Sequence, residues 1–329
     1  MTAAAGATLD FGEGLFLIDL PQGMPGFRQF IASWFFVDAL GRRVVVDPGP
    51  ANTIPLLNGA LERLTEDVDL VLLTHIHLDH AGGVGAFCRR WPHAGVLAHP
   101  RAFAHLRRPD RLWSASVRTL GNVALAYGEP EPLTASLLSE DPDGLIEVLS
   151  TPGHAPHHVA LRTRPREGGP LFFIGEAAGL TLPSGDGALW LRPTTPPRFD
   201  AAAALSSLDH AAAALHGDER LCYAHWGLSE DPTGRLSLAR EQTERWLKLI
   251  GTMLDRRPEE VVECLLRRDP LLQARLDEDL MERERRFMAN SVQGFMGFLN
   301  ESGCGTTAPD GVQRTLVDRP RAEGYNSSC

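Results

Sequence analysis

The sequence predicts an α/β sandwich, with β-sheets on the inside and helices on the outside. Strand-like segments fall into two stretches of the chain, and helical segments follow each stretch. One strand-like segment has an unbroken apolar centre, LVLL at 70–73, which is typical of a strand that is covered on both faces. The chain has 329 residues, 43% of them hydrophobic, so it can bury a large core. These patterns leave the order of the strands open.

The first stretch contains several short strands and one early helix. Three strands are predicted by the β-branched and aromatic segments GLFLIDL, ASWFFVDA and RRVVVDPG. Apolar residues at helical spacing predict a helix over 54–64, and the apolar run VDLVLLT predicts a strand over 68–74. A further strand is predicted over 94–100, and an arginine-rich helical segment follows it to about residue 119.

The second stretch has two segments that read as a strand followed by a loop, 145–153 and 170–179. From about residue 201 the pattern becomes helical, and a short strand and turn interrupt it at 221–227. Near the end, apolar residues recur mostly at steps of three or four and predict an amphipathic helix: Leu272, Leu276, Leu280, Phe287, Val292, Phe295 and Leu299.

These segments predict three parts of the chain. Residues 1–235 form the α/β domain that carries the functional site, and residues 236–301 form a helical C-terminal extension that packs on or near it. Residues 302–329 are rich in Gly, Pro, Ser and Arg without periodicity, so we expect a flexible tail there.

Charge and cysteine content exclude several classes of protein. The formal net charge of −10 disfavours nucleic acid and anionic membranes as partners, because both bind basic surfaces. The N-terminus lacks the pattern of a signal peptide, and no run of eighteen apolar residues predicts a membrane span. The five cysteines are scattered and odd in number, which favours reduced thiols over disulfides or a zinc–thiolate site. We therefore expect a cytoplasmic protein.

The segment VLLTHIHLDHAGG places three histidines and an aspartate within six residues, at the end of a predicted strand. His75 and His77 are two residues apart, so both imidazoles can face one metal ion. Asp79 and His80 follow as the chain turns and offer an oxygen and a nitrogen to a second ion. Imidazole and carboxylate are ligands that zinc, iron and manganese all accept. The spacing therefore predicts a metal site, and α/β sheets place their sites at such strand ends.

This segment resembles the HxHxDH signature of the metallo-β-lactamase fold superfamily of metallohydrolases, and other segments resemble further motifs of the family in the same order. Asp47-Pro48-Gly49 is similar to the family's early Asp-x-Gly turn. TPGHAPHH resembles the loop that carries a third histidine, FFIGEAAG the strand that ends in the bridging carboxylate, and YAHWG the late histidine-glycine motif. The resemblance implies a four-layer αββα sandwich with a helical C-terminal extension.

The resemblance also implies a ligand set for two divalent metal ions, most commonly zinc, with iron or manganese as alternatives. One metal would take His75, His77 and His154, and the other would take Asp79, His80 and His225. The bridging position holds Glu176 where the family has Asp. The extra methylene moves the carboxylate by about 1.5 Å. Glu176 therefore bridges from a backbone set further back, binds one metal only, or holds a metal-bound water.

Such a centre implies hydrolysis by a metal-bound hydroxide, because divalent metals lower the pKa of bound water from about 15.7 towards neutrality. The resemblance permits Asp79 both to ligate a metal and to accept a proton. We expect a small-molecule substrate with an ester, thioester or lactone bond. The alternatives are a phosphodiesterase with the same centre and a metal-containing sensor with little turnover. The family's redox-active members replace the second histidine of the cluster with Glu, whereas this chain keeps His77.

Substrate contacts are expected from the segment that follows Glu176. Arg192 can pair with a carboxylate or phosphate, and Thr194 and Thr195 can donate hydrogen bonds. His157, near the third histidine, is a further candidate for the substrate pocket. The C-terminal helices carry a Met- and Phe-rich surface that would close over an acyl chain, pack on the sandwich or join two chains in a homodimer.

Overall fold

The structure is a computed structural model that describes residues 7–139 and 144–302. The tail predicted over 302–329 therefore lies outside the described residues, except for Ser302. Strands are labelled β1–β14 and α-helices α1–α10 in chain order.

The first sheet has seven strands, and their spatial order is their order along the chain. The first four run antiparallel to their neighbours, and the last three continue parallel to the fourth. The strands are β1 Thr8–Asp10, β2 Phe16–Asp19, β3 Ala32–Val37, β4 Arg43–Val46, β5 Leu70–Leu72, β6 Gly95–Leu97 and β7 Leu138–Ser139.

The second sheet has five strands in the order β14-β13-β10-β9-β8. Strands β10 and β13 are parallel, and the other pairs are antiparallel. A separate antiparallel hairpin joins β11 to β12. The strands are β8 Glu147–Ser150, β9 Val159–Thr163, β10 Leu171–Gly175, β11 Leu180–Leu182, β12 Trp190–Arg192, β13 Arg220–Tyr223 and β14 Leu228–Ser229.

The ten helices of the described chain lie outside the two sheets. They are α1 Ile54–Leu61, α2 Leu78–Ala81, α3 Val84–Arg90, α4 Phe103–Arg107, α5 Asp110–Leu120, α6 Asn122–Tyr127, α7 Ala201–Ala213, α8 Pro232–Gly251, α9 Pro258–Arg268 and α10 Glu278–Glu301. Within the described ranges, no helix combines the length and the apolar character that crossing a membrane requires.

Alternating side chains show how the sheets stack. Trp34 and Phe36 of β3 and Phe173 of β10 lie on the inner faces of the two sheets, and all three are buried between the sheets. Phe35 and Phe172 point the opposite way, into the cores that the helices cover. This arrangement confirms the predicted four-layer order of helices, sheet, sheet and helices.

Helix α8 joins the sandwich to the C-terminal helices. Its first half places Leu236 and Ala239 on the second sheet beside α7, and its second half places Trp246 and Ile250 in the core shared with α9 and α10. The boundary predicted after residue 235 therefore falls inside α8, and the packing is continuous across it.

The last amphipathic helix is shorter than its apolar pattern predicts. Leu272 lies in a separate single turn and Leu276 in the loop before α10, although both are buried. The Asp269 carboxylate caps that turn at Leu271 N and accepts hydrogen bonds from Trp246 and Gln242. These bonds fix the chain there, so the periodic residues reach the core from a loop rather than from a helix.

Candidate metal centre and substrate cavity

The histidine-rich segment lies where β5 leaves the first sheet. His75 and His77 are in the loop after β5, and Asp79 and His80 are in the single turn of α2. The small residues after His80 allow close packing, because a Cβ at Gly83 would lie 2.3 Å from Ile54 Cδ1. This packing holds the C-terminal end of α2 tightly against α1 and the turn at Gly49.

The second sheet brings its residues to the same edge. Glu176 follows β10 and His225 follows β13, and these strands are parallel. His154 precedes β9, which runs antiparallel to β10, so His154 also lies at this edge. A backbone hydrogen bond of 2.8 Å from Val159 N to Thr74 O joins the two sheets there.

Four of the predicted ligands form one group that is able to hold a metal ion: His75, His77, His154 and Glu176. Glu176 Oε2 lies 3.1 Å from His75 Nε2 and 2.9 Å from His154 Nε2. His154 Nε2 lies 2.9 Å from His77 Nδ1. The four side chains therefore converge on one point.

Asp79, His80 and His225 form a second group beside the first. Asp79 Oδ2 lies 3.6 Å from His80 Nε2 and 3.9 Å from His225 Nε2. Glu176 contacts this group too, because its Oε1 lies 3.0 Å from His225 Nε2. The two oxygens of Glu176 thus face both histidine groups, as a bridging carboxylate must.

The backbone before Glu176 has an unusual conformation. The pairing of β10 with β13 shifts register between Phe173 and Gly175, and Gly175 has a φ of 60°. A Cβ at Gly175 would lie 2.4 Å from His158 Nε2. The buried His158 accepts a 2.9 Å hydrogen bond from Glu176 N, and its Nδ1 lies 2.7 Å from Thr151 Oγ1. His158 therefore holds the backbone of Glu176 without joining the ligand groups.

Backbone carbonyls orient two of the predicted ligands. His154 Nδ1 donates to Thr194 O at 2.9 Å, and His225 Nδ1 donates to Phe30 O at 3.1 Å. A proton on Nδ1 leaves the Nε2 lone pair of each ring available for a metal. The Phe30 ring also stacks on His225, with centroids 4.4 Å apart.

Asp47 is part of the site although the sequence singled out only its turn. Its carboxylate accepts hydrogen bonds from Thr74 N and Thr74 Oγ1, at 2.8 and 2.6 Å, and Oδ2 lies 3.3 Å from His80 Nδ1. Asp47 has a φ of 50°, a conformation that costs about 1–3 kcal/mol in a non-glycine residue and is typical of functional sites. Its position after a strand, before Pro-Gly, was the signal in the sequence.

The donor set fits divalent metal ions. His75 Nε2 and both ring nitrogens of His80 are buried and have no hydrogen-bond partner in the described ranges. Burial, followed by neighbouring histidines, lowers the pKa of His75 and His77 well below the usual value, so both rings are neutral. Burial also opposes charge on His80, but the carboxylates of Asp79 and Asp47 outweigh it and raise its pKa to about 9. His75 and His77 therefore offer neutral imidazoles to a divalent ion, and binding of an ion at His80 would release the proton that the two carboxylates hold there.

A cavity of about 600 Å³ opens above the two groups. The side chains of the two groups, with the exception of His75 and His80, line its floor. Helix α5 and the C-terminal helix α10 line its sides, and residues 194–198 complete the rim. This volume suits a small-molecule ligand.

The four residues predicted to bind substrate all line this cavity, but three of them already bond protein groups. Arg192 is buried and pairs with Glu284 of α10. Thr194 Oγ1 donates to Glu176 O at 3.3 Å, and Thr195 Oγ1 donates to Ser291 O at 2.7 Å. These three side chains therefore shape the cavity wall.

His157 differs from these three. It lines the cavity, is partly exposed, and its Nδ1 has no hydrogen-bond partner in the described ranges. Burial and the nearby His154 lower its pKa to about 4, so it is neutral at pH 7. Phe287, on the predicted Met- and Phe-rich surface of the C-terminal helices, lines the cavity. Two cavity residues that pattern alone did not identify are Phe30 and Tyr127, whose aromatic rings gave no signal distinct from that of core residues.

Comparisons with known proteins agree with this geometry. A sequence model of the metallo-beta-lactamase superfamily matches residues 28–225. The chain therefore belongs to this superfamily.

Curated relatives named hydroxyacylglutathione hydrolase match parts of the chain. The protein of Xanthomonas axonopodis pv. citri is 30% identical over 215 residues, which are 64% of this chain and 69% of the relative. The protein of Cupriavidus taiwanensis is 36% identical over 183 residues, which are 55% of this chain and 58% of the relative. The protein of Stenotrophomonas maltophilia is 35% identical over 144 residues, which are 43% of this chain and 46% of the relative. The matches thus span less than two thirds of two of these relatives.

Solved structures support the fold. A metallo-beta-lactamase family protein of Thermus thermophilus aligns with a TM-score of 0.60 at 24% identity and covers 88% of this chain and 94% of its own. An archaeal metallo-beta-lactamase superfamily protein of Sulfolobus tokodaii aligns with a TM-score of 0.58 at 20% identity, covering 86% and 98%. At these identities the likeness concerns the fold alone.

Proposed function

We propose that this protein is a hydrolase with two divalent metal ions, most commonly zinc, and that it cleaves a small thioester or ester. One observation carries the proposal: the two oxygens of Glu176 face two groups of ligands, His75, His77 and His154 on one side and Asp79, His80 and His225 on the other. A longer carboxylate at the bridging position is therefore compatible with a complete dinuclear centre.

Bound divalent ions at such a centre lower the pKa of water towards neutrality and polarise the oxygen of a scissile carbonyl. The protein itself holds the proposed ligand side chains in fixed orientations. Thr194 O and Phe30 O fix the rings of His154 and His225, and Glu176 is held through its backbone by His158. The buried sheets below the floor exclude bulk water from the other side of the site.

Asp79 is the residue that we assign to proton transfer. Its side chain is 16% exposed and lines the cavity, whereas that of Glu176 is 6% exposed. Of the two carboxylates, Asp79 is therefore the more accessible to a reacting group above the floor. A carboxylate in this position accepts a proton during attack and returns it to the leaving group.

The relatives favour a thioester among the possible substrates, because those that match are named hydroxyacylglutathione hydrolase. The cavity of about 600 Å³ holds a short acyl group together with a thiol leaving group. A lactone or a plain ester requires the same chemistry at the carbonyl and less space.

The test is a substrate panel on protein loaded separately with zinc, iron and manganese. The panel pairs a glutathione thioester, an oxyester and a lactone of the same acyl group with a phosphodiester. We expect turnover of the carbonyl compounds, with the highest kcat/KM for a thioester. Asp79→Asn should lower kcat by about 100-fold or more, because the asparagine amide accepts no proton and is a weaker metal ligand than the carboxylate.

The control is Asp209→Asn, an exposed carboxylate on α7 outside the cavity, which should leave kcat unchanged. Turnover of the phosphodiester alone would contradict the proposal and favour a phosphodiesterase. Tight binding of one metal without turnover of any member of the panel would favour a sensor.

A further inference from the structure

Helix α5 forms an amphipathic wall of the cavity. Leu112, Ala115, Ser116 and Thr119 line the cavity at steps of three or four residues, so they form one stripe of the helix. Trp113 and Val117 pack against the main core, and Leu112 contacts both the core and the cavity. None of the residues of α5 is fully buried, which distinguishes this wall from the floor below it.

Two arginines of α5 line the cavity beside this stripe. Arg111 and Arg118 are seven residues apart, so they project from nearly the same side of the helix, about 10 Å apart along its axis. Both are exposed, and neither forms an ion pair or a hydrogen bond in the described ranges. Arg198, on the loop at the rim, is exposed and unpaired in the same way.

The charge around the cavity is opposite to that of the whole chain. The protein has 42 acidic and 32 basic residues, yet the acidic residues that line the cavity are Asp79 and Glu176, which belong to the two ligand groups. The three unpaired arginines at the rim therefore face no carboxylate of the wall. A rim with this charge attracts an anion, and arginine binds carboxylate and phosphate in a bidentate way.

We infer that α5 and the rim select a substrate that carries an anionic group in addition to the scissile bond. Arg111, Arg118 and Arg198 bind the anion, and the apolar stripe of α5 contacts the chain that links it to the reacting carbonyl. The inference rests on the proposed function for the identity of the scissile bond. It goes beyond it in assigning an anion site to α5.

The first test compares thioesters that differ in one charge. One pair has the same acyl group on 3-mercaptopropionate or on its neutral amide, and a second pair has a hexanoyl or an adipoyl group on the same neutral thiol. We expect kcat/KM to be about 10-fold higher for the anionic member of at least one pair, mainly through KM. The pair that shows the preference identifies the end of the substrate that bears the anion.

The second test removes the arginines of α5. Arg111→Gln together with Arg118→Gln should abolish the preference and leave the neutral substrates within about twofold of wild type, because these side chains stabilise no core. Arg107→Gln, an exposed arginine outside the cavity, is the matched control and should keep the preference. Raising the salt from 0.05 to 0.5 M should weaken the preference in wild type alone.

Equal kcat/KM within both pairs would overturn the inference while leaving the hydrolase intact, and so would an equal loss on neutral and anionic substrates in the double variant. Calorimetry with hexanoate and its neutral amide decides between the outcomes if no thioester is cleaved. Tighter binding of hexanoate to wild type, lost in the double variant, supports the anion site without the proposed function. Equal binding of the acid and the amide, or a preference that the double variant keeps, overturns it.

Discussion

The floor of the cavity and its α5 wall are built on different principles. In and directly beneath the floor, His75, His80 and His225 are buried close to the ends of strands of the two sheets, and His225 Nδ1 donates to the backbone carbonyl of Phe30. On the wall, α5 has no fully buried residue, and its cavity-facing arginines have no partner among the described residues.

This difference separates two tasks. A metal site needs ligands that are held before the metal arrives, and strand ends between packed sheets supply that rigidity. Recognition of a substrate needs groups that remain free to bind it, and an exposed helix supplies those. Substitutions on the floor should therefore affect every substrate, whereas substitutions on the wall should affect some substrates only.

The largest effect is expected from His75→Ala. It removes a ligand that lies 3.1 Å from the bridging candidate Glu176, so the first metal should be lost. We expect kcat/KM to fall by at least about 10³-fold for all substrates. Steady-state kinetics beside elemental analysis measure both effects. The control is His93→Ala, which changes an exposed histidine outside the site and should leave kcat/KM and metal content unchanged. A similar loss of activity in both variants would contradict the role of His75.

A second prediction concerns α10, the opposite wall. Arg283 is buried, pairs with Glu284, donates to Gly26 O and lies 3.9 Å from the centroid of the Phe30 ring. Arg283→Met leaves Glu284 with Arg192 alone, so the free energy of unfolding should fall by about 3 kcal/mol.

Chemical denaturation measures this change. Arg286→Met, an exposed arginine on the same helix, should change stability by less than about 0.5 kcal/mol. If Arg283→Met were equally mild, α10 would not be the rigid wall that its buried ion pairs indicate.

His158→Phe should have an intermediate effect. The substitution keeps a ring over Gly175 but removes the acceptor for Glu176 N, so a buried N–H loses its bond at a cost of about 1–3 kcal/mol. Metal affinity should fall by about 10–100-fold, as expected when a residue that orients a ligand is lost. Titration with zinc measures it. His158→Gln, which retains an acceptor, should recover part of the affinity, and no difference between the two variants would argue against this role.

The smallest effect concerns pH and the loop that carries Phe30. Burial raises the pKa of Asp19 from 3.8 to about 6, although its carboxylate accepts a hydrogen bond from Gln29 N. Because the folded protein binds this proton more tightly than the unfolded chain, the stabilisation is present below about pH 4 and is lost as the pH rises through 6.

Asp19→Asn keeps an acceptor for Gln29 N and removes this titration. The fall in unfolding free energy between pH 4 and pH 6 should therefore be about 1–2 kcal/mol smaller in the variant than in wild type. Denaturation at several pH values measures the difference, and metal loss affects both proteins alike. Parallel pH profiles would show that Asp19 titrates normally.

The sequence predicted a set of floor residues that the fold brings together, but it predicted little of the walls. The signature of the proposed metal site is local, since four of the proposed ligands lie within six residues and the others follow recognisable strands. The order of the strands and the short strands β1, β7, β11 and β14 depend on long-range pairing that a local pattern does not encode.

Arg192 shows most clearly what the sequence alone does not reveal about charged side chains. Its neighbourhood predicted a substrate contact, but Glu284, 92 residues further along the chain, neutralises it in the folded protein. The arginines of α5 show the opposite case. The sequence predicted only an arginine-rich helical segment, whereas two of its arginines line the cavity in the folded protein. Whether a charge is paired or free is a tertiary property.

The most direct test of the account is the metal content of protein purified without chelators, measured by elemental mass spectrometry for wild type and Glu176→Gln. The glutamine keeps the size of the side chain and removes the charge that faces both histidine groups. The account predicts about two divalent metals per chain in wild type and about one or fewer in the variant. One metal or none in wild type, or an unchanged content in the variant, would contradict the dinuclear centre bridged by Glu176.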